Sequence, residues 1–225
     1  MATISQSIVS DTNLPAEIPE SQQTAANAPI SSLFSLQNKT VIVTGAGQGL
    51  GIVLAEAILE SGGDVICLDI QPSPNKDGWA RIEQIQKTSK THATYHQCDI
   101  TKENAVIAVL AEASKAATRM GKPIRGLVSC AGVQQMKDAI DYPVDGFNRI
   151  LEVNVTGSFL MAKHTARIMR DEGSSGSIVF IASMSGQIAN RVRQGLSLLP
   201  PNMLTRSNRV SIAQPTTHQR LPCSR

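Results

Sequence analysis

Residues 40–51 read TVIVTGAGQGLG, and the fold turns on this stretch. Its first half is a near-continuous apolar run, the pattern of a strand covered on both faces rather than one that alternates between core and water. Its second half spaces Gly45, Gly49 and Gly51 along a loop, where a missing side chain lets the backbone turn tightly and come close to a ligand. Beyond it, Leu50, Val53, Leu54, Ala57 and Ile58 follow the apolar stripe of a helix, which Gly62-Gly63 is expected to end. A helix that begins at such a loop aims its free N–H groups and the positive end of its dipole at whatever sits there. An anion such as a pyrophosphate is the expected occupant.

The pattern repeats along the chain. DVICLDI (64–70), HATYHQCD (92–99), IRGLVSCAG (124–132) and GSIVFIAS (176–183) read as further strands, the second and fifth again near-continuously apolar and so expected to be covered on both faces. Helices are predicted over roughly 77–88, 102–119 and 146–171. Strands that alternate with helices specify an α/β fold: a doubly wound parallel sheet of Rossmann type, with right-handed crossovers. Five strands are counted, and nothing convincing follows the fifth.

Asp69 closes the second strand, 18 residues after Gly51. A carboxylate there can accept both ribose hydroxyls of NAD and would repel the 2′-phosphate of NADP. No Lys or Arg lies in the glycine loop or directly after Asp69 to receive that phosphate. NAD is the expected cofactor, with NADP as the alternative.

Composition narrows the remaining classes. A 225-residue chain, 41% hydrophobic and 17% charged, has the make-up of an ordinary soluble domain and can bury a real core. The net charge of +3 conceals an uneven distribution: no Lys or Arg precedes Lys39, and no Asp or Glu follows Glu172. The basic tail has scattered Arg and no aromatic residue to stack on a base, so nucleic-acid binding is not expected. No apolar run approaches a membrane span or forms a signal peptide, and the cytosol is the default compartment. Cys67, Cys98, Cys130 and Cys223 show no metal spacing, and the first three read as small hydrophobes packed in or beside strands.

With these motifs in place, the chain resembles the short-chain dehydrogenase/reductase family from about Leu36 to about Arg191. TGAGQGLG (44–51) matches the family's TGxxxGxG loop, and Asp99 in QCDIT stands where the family sets an Asp beside the adenine ring. SCAG (129–132) occupies the NNAG position, with Cys130 in place of an Asn, and NVTG (154–157) supplies Asn154 at the catalytic Asn. The resemblance implies cofactor contacts from Thr44, Gly45, Gln48, Gly49, Leu50, Gly51, Asp69, Asp99, Ile100, Ala131 and Gly132. It also implies hydride transfer between a nicotinamide and an alcohol or ketone, in a homo-oligomer. Ser183 would hydrogen-bond the substrate oxygen, and Asn154 would anchor a water that relays protons. LFSLQNKTVIVTGAG (33–47) and SMSGQIAN (183–190) are similar to fungal polyol dehydrogenases and ketose reductases, which act on sugar alcohols.

The family's base is a Tyr whose pKa a Lys four residues on helps to lower. Here the tyrosines are Tyr95 and Tyr142, followed four residues later by Asp99 and Gly146, and no Lys follows Lys163. Residues 192–225 show neither strand alternation nor a helical stripe, and Pro200-Pro201 would break any helix. One reading of this tail is an intron translated as protein. The expected organisation is a disordered extension over 1–36, an incomplete dinucleotide-binding domain over 37–191, truncated after the fifth strand with an incomplete subunit interface, and a disordered, non-family basic tail over 192–225. Two functions stay open: an NAD-dependent oxidoreductase by descent, inactive as this chain, and a non-catalytic dinucleotide-binding or interaction protein.

Overall fold

The structure, a computed structural model, describes residues 34–183. The tail from 192 and nearly all of the expected N-terminal extension lie outside the described residues. Five strands alternate with helices: β1 (Thr40–Thr44), α1 (Gly49–Glu60), β2 (Asp64–Asp69), α2 (Lys76–Thr88), β3 (Ala93–Gln97), α3 (Glu103–Arg119) and β4 (Ile124–Ser129). A 3-10 turn (Ala139–Asp141) then leads to α4 (Val144–Leu151), a π-helical segment (Glu152–Gly157), α5 (Ser158–Asp171) and β5 (Ser177–Phe180). Every strand pairing is parallel, and the order is β3-β2-β1-β4-β5. The chain therefore winds one way from β1 to β3 and the other way through β4 and β5. Its switch point falls between β1 and β4, where sheets of this kind open a crevice beyond the carboxyl ends of the strands.

Each face of the sheet has its own core. Val41, Val43, Val65 and Cys67 project to one side and pack with Ile52, Ala55, Ile58 and Leu59 of α1 and Ile82 of α2. Ile42, Ile66, Leu68, Ile124 and Leu127 project to the other, against Val106 and Leu110 of α3 and Met161 and Met169 of α5. β1 and β2 are buried along their length, as continuous apolar runs require. At the amino end of the sheet Asp64 is buried, takes the Lys122 ammonium at 2.7 Å and accepts the His92 N–H.

Two expectations need correction. The buried face of α1 is Ile52, Ala55, Ile58 and Leu59, so of the stripe expected from sequence only Ile58 is buried, and Leu50 and Val53 are 52% and 51% exposed. The helix sequence GLGIVLAEAILE is apolar almost all round, so hydrophobic spacing alone could not fix its rotation. The close approach of Gly51 to the backbone at Gly45 does so instead. The second correction concerns β5, which is not covered on both faces. Ile178 joins the α3–α5 core, but Val179, Phe180 and Ile181 each remain more than 40% exposed.

Candidate functional site

The glycine loop is fixed by contacts that leave no room for side chains. Gly45 has φ +67, and a Cβ there would stand 2.8 Å from the Ala131 Cα. A Cβ on Gly51 would run into the Gly45 carbonyl oxygen, and one on Gly47 would lie 2.9 Å from the Asp69 carboxylate. Gly49, at φ +57, is different, because nothing lies within 4 Å of the position a Cβ would take. It serves the left-handed turn that leads into α1 and leaves its backbone open to approach. Beneath the loop, the buried Thr44 hydroxyl accepts the N–H groups of Cys130 and Ala131, both at 3.1 Å. This pins the end of β4 to the end of β1.

The amino end of α1 suits an anion. The Gln48 side chain does not cap it, and no acidic residue stands in its first turn. In contrast, α2 is capped by the Asn75 side chain and carries Asp77 in its first turn, and α3 carries Glu103 there. The first N–H groups of a helix have no partner within it, and a phosphate oxygen can take that place.

Asp69 is aimed at this loop by hydrogen bonds to both of its oxygens. Gly47 N–H donates to Oδ2 at 2.8 Å, and Gln71 N–H donates to Oδ1 at 3.0 Å. Each carboxylate oxygen keeps a lone pair for a further donor such as a ribose hydroxyl. Asp99, beyond β3, accepts the Thr101 N–H at 3.0 Å and the Thr101 hydroxyl at 2.7 Å. Burial alone would raise its pKa, but those two bonds, with Arg149 and Lys102 nearby, hold it below the usual carboxylate range.

These residues share one cleft of about 370 Å³. Of the positions expected from sequence, Gly45, Gln48, Leu50, Gly51, Asp69, Asp99, Ile100, Ala131 and Gly132 line it, while Thr44 lies buried below and Gly49 is not in the lining. Sequence reasoning missed Gly47, Gln71, Val133, Arg149 and Val153. Gly47 lay in plain view inside TGAGQGLG, but its constraint comes from Asp69, which only the fold brings beside it.

Asn154 stands within the π-helical segment. Its Oδ1 accepts the Val133 N–H at 2.8 Å and its amide donates to the Val133 carbonyl at 3.0 Å, so one side chain ties the segment after β4 to the helix. A π turn of this kind re-aims a side chain within a helix and is often found at functional sites. Ser183 follows β5 at the same, carboxyl end of the sheet, and it is not in the cleft lining. Neither tyrosine resembles a base. The Tyr95 hydroxyl donates to the Gln71 carbonyl, and burial, with help from Asp69 and Cys67, pushes its pKa up to about 12. The Tyr142 hydroxyl donates to the Gln135 carbonyl. The three described cysteines are free thiols whose pKa values burial raises, to about 12 at Cys67 and about 11 at Cys98. Among the described residues no group of three or more His, Cys, Asp or Glu could hold a metal ion, and no helix is long and apolar enough to cross a membrane.

Comparison with known proteins meets the same residues. The family profile described as short chain dehydrogenase matches residues 39–194. A short chain dehydrogenase/reductase of Aspergillus versicolor is 44% identical over 162 residues, which cover 72% of this chain and 54% of the relative. An NAD-dependent glycerol dehydrogenase of Listeria innocua is 37% identical over 156 residues, 69% of this chain and 57% of the relative. The crystal structure of an NAD+-bound xylitol dehydrogenase superposes with a TM-score of 0.59 at 31% identity, over 69% of this chain and 56% of that one. The chain thus spans little more than half the length of these relatives. With the glycine loop, the switch-point cleft and the family profile all falling on the same segment, this chain belongs to the short-chain dehydrogenase family.

Proposed function

We propose that the cleft binds NAD in preference to NADP, and that the protein descends from oxidoreductases acting on an alcohol or ketone, with a sugar alcohol or ketose as the substrate class. The observation that carries this reading is Asp69, held by two backbone N–H groups with its carboxylate in the cleft lining. Among the described lining residues no cation accompanies it from the glycine loop or from the segment after β2. A 2′-phosphate would meet a carboxylate there, whereas two ribose hydroxyls would meet acceptors. The names of the glycerol and xylitol dehydrogenases support the substrate class.

The roles divide along the cleft. The loop from Gly45 to Gly51 and the amino end of α1 hold the pyrophosphate, Asp69 holds the adenosine ribose, and Asp99 accepts from the adenine amino group. The nicotinamide, when bound, donates or accepts the hydride. Ser183 would donate to the substrate oxygen, and Asn154 ties the segment after β4 to the π-helical turn. A proton must also leave or reach that oxygen, and the family's Tyr–Lys pair does not occur within these 225 residues. General acid–base groups supply about a hundred- to ten-thousand-fold in rate. A polypeptide of these 225 residues is therefore expected to bind NAD with negligible turnover.

Titration calorimetry with NAD+ and NADP+ tests the reading. NAD+ is expected to bind more tightly, and Asp69→Ala to narrow the difference. Equal affinities in the unaltered chain would overturn it. A polyol oxidation rate in the family's ordinary range would overturn the expectation of inactivity.

A further inference from the structure

Arg149 is the only cation among the described residues that line the cleft, which otherwise carries the carboxylates of Asp69 and Asp99. It stands on α4, one helical turn before Val153, which also lines the cleft. Its guanidinium donates to Glu152 Oε2 at 3.0 Å, and the other oxygen of that carboxylate pairs with Lys102 at 3.4 Å. Lys102 lies just beyond Asp99 in the segment after β3, so Glu152 links the guanidinium to the Asp99 side of the cleft. The Arg149 charge is also felt by Asp99, whose carboxylate it helps keep ionised.

The chemistry of that corner is specific. Ile100 and Val153 give it apolar walls, Asp99 gives it an acceptor, and Arg149 adds a flat, delocalised cation that is about half exposed. Glu152 takes one N–H of the guanidinium, at Nη1, and about half of the side chain is exposed. Arg stacks on aromatic faces in a way that Lys cannot reproduce. A purine held by its amino group at Asp99 would lie on the side of the cleft that Arg149 lines.

We propose that Arg149 is a further binding residue of the site, its guanidinium covering one face of the adenine base at the Asp99 end of the cleft. The proposal rests on the reading of the cleft as a dinucleotide site. It gives Arg149 a role in affinity and none in the choice between NAD and NADP, because it attends the base and Asp69 attends the ribose.

Equilibrium titration of the 225-residue chain with NAD+, NADP+ and nicotinamide hypoxanthine dinucleotide tests it, using Arg149→Ala, Arg149→Lys and Glu152→Gln. A cation–π contact of this exposure corresponds to about a fivefold to tenfold change in affinity. Arg149→Ala is expected to weaken NAD+ by that factor and the hypoxanthine analogue equally, since stacking does not read the amino group. Arg149→Lys should recover only part of the loss. Glu152→Gln removes the ion pair but keeps the guanidinium, and should stay within about twofold of the unaltered chain. Circular dichroism and unfolding midpoints identify any variant that has failed to fold, and Arg149→Lys then carries the comparison. Unchanged NAD+ affinity in Arg149→Ala overturns the proposal, as does a loss confined to NADP+, which would make Arg149 a phosphate receiver. Failure of the unaltered chain to bind any dinucleotide would overturn the reading of the cleft itself, and this proposal with it.

Discussion

Gly49 and Gly51 stand two residues apart in one loop, yet they answer to different constraints. At Gly49 the demand is conformational: φ is +57 and the space around it is open. A residue with a Cβ can occupy that region at a cost of roughly 1–2 kcal/mol. At Gly51 the demand is steric, since an added methyl would meet the Gly45 carbonyl, a backbone atom that cannot swing aside. Gly51→Ala is therefore expected to lower the unfolding midpoint well beyond Gly49→Ala, whose effect should stay near that estimate. Chemical denaturation of the two variants checks it, and equal shifts would contradict the steric account. Sequence alone identified both glycines, because a strand, a glycine loop and a helix in succession admit few other arrangements. It could not identify Gly47, Arg149 or Val153, which come beside Asp69 and Asp99 only once the fold brings those carboxylates across from neighbouring strands.

Among the elements, the helices show where sequence patterns run out. The face of α1 could not be read from a segment that is apolar almost all round, whereas the strands β1 and β2 could, because continuous apolar runs carry no choice of face. Residues 146–171 read as one helix, and the structure places α4, the π-helical segment and α5 there. Hydrophobic spacing does not register a single widened turn, although that turn is where Asn154 sits. The pairing of α3 with α5 is equally invisible in sequence. Glu103, in the first turn of α3, receives the Lys163 ammonium at 2.8 Å and the buried His164 ring at 2.9 Å. The Lys163 contact first, and then His164, hold the Glu103 carboxyl below its ordinary range. A depressed pKa stabilises the folded state above the unfolded value of about 4.3, and the contribution disappears as pH falls through the lower, folded value. Glu103→Gln is accordingly expected to unfold more readily than the unaltered chain at neutral pH, with the gap closing below about pH 4. Thermal unfolding followed across pH 3–8 checks the sign, and a gap that widens on acidification would contradict it.

For the whole molecule, the two halves of the expected chemistry are unequally represented. The residues proposed to hold the adenosine side lie between β1 and the segment after β4, around one cleft with Thr44 buried below it. On the substrate side, Ser183 follows a strand that is exposed among the described residues, and the acid–base pair that the family uses does not occur in the 225-residue sequence. The chain also spans little more than half the length of the relatives it matches. On the proposed reading, this segment recognises a dinucleotide through its adenosine half. Competition for NADH, followed by the fluorescence of the bound nucleotide, tests it most directly. ADP-ribose, which has no nicotinamide, is predicted to displace NADH with an affinity within about tenfold of its own, a difference of about 1.4 kcal/mol, and nicotinamide mononucleotide is predicted to leave it bound. Displacement by nicotinamide mononucleotide, with ADP-ribose without effect, would contradict the account.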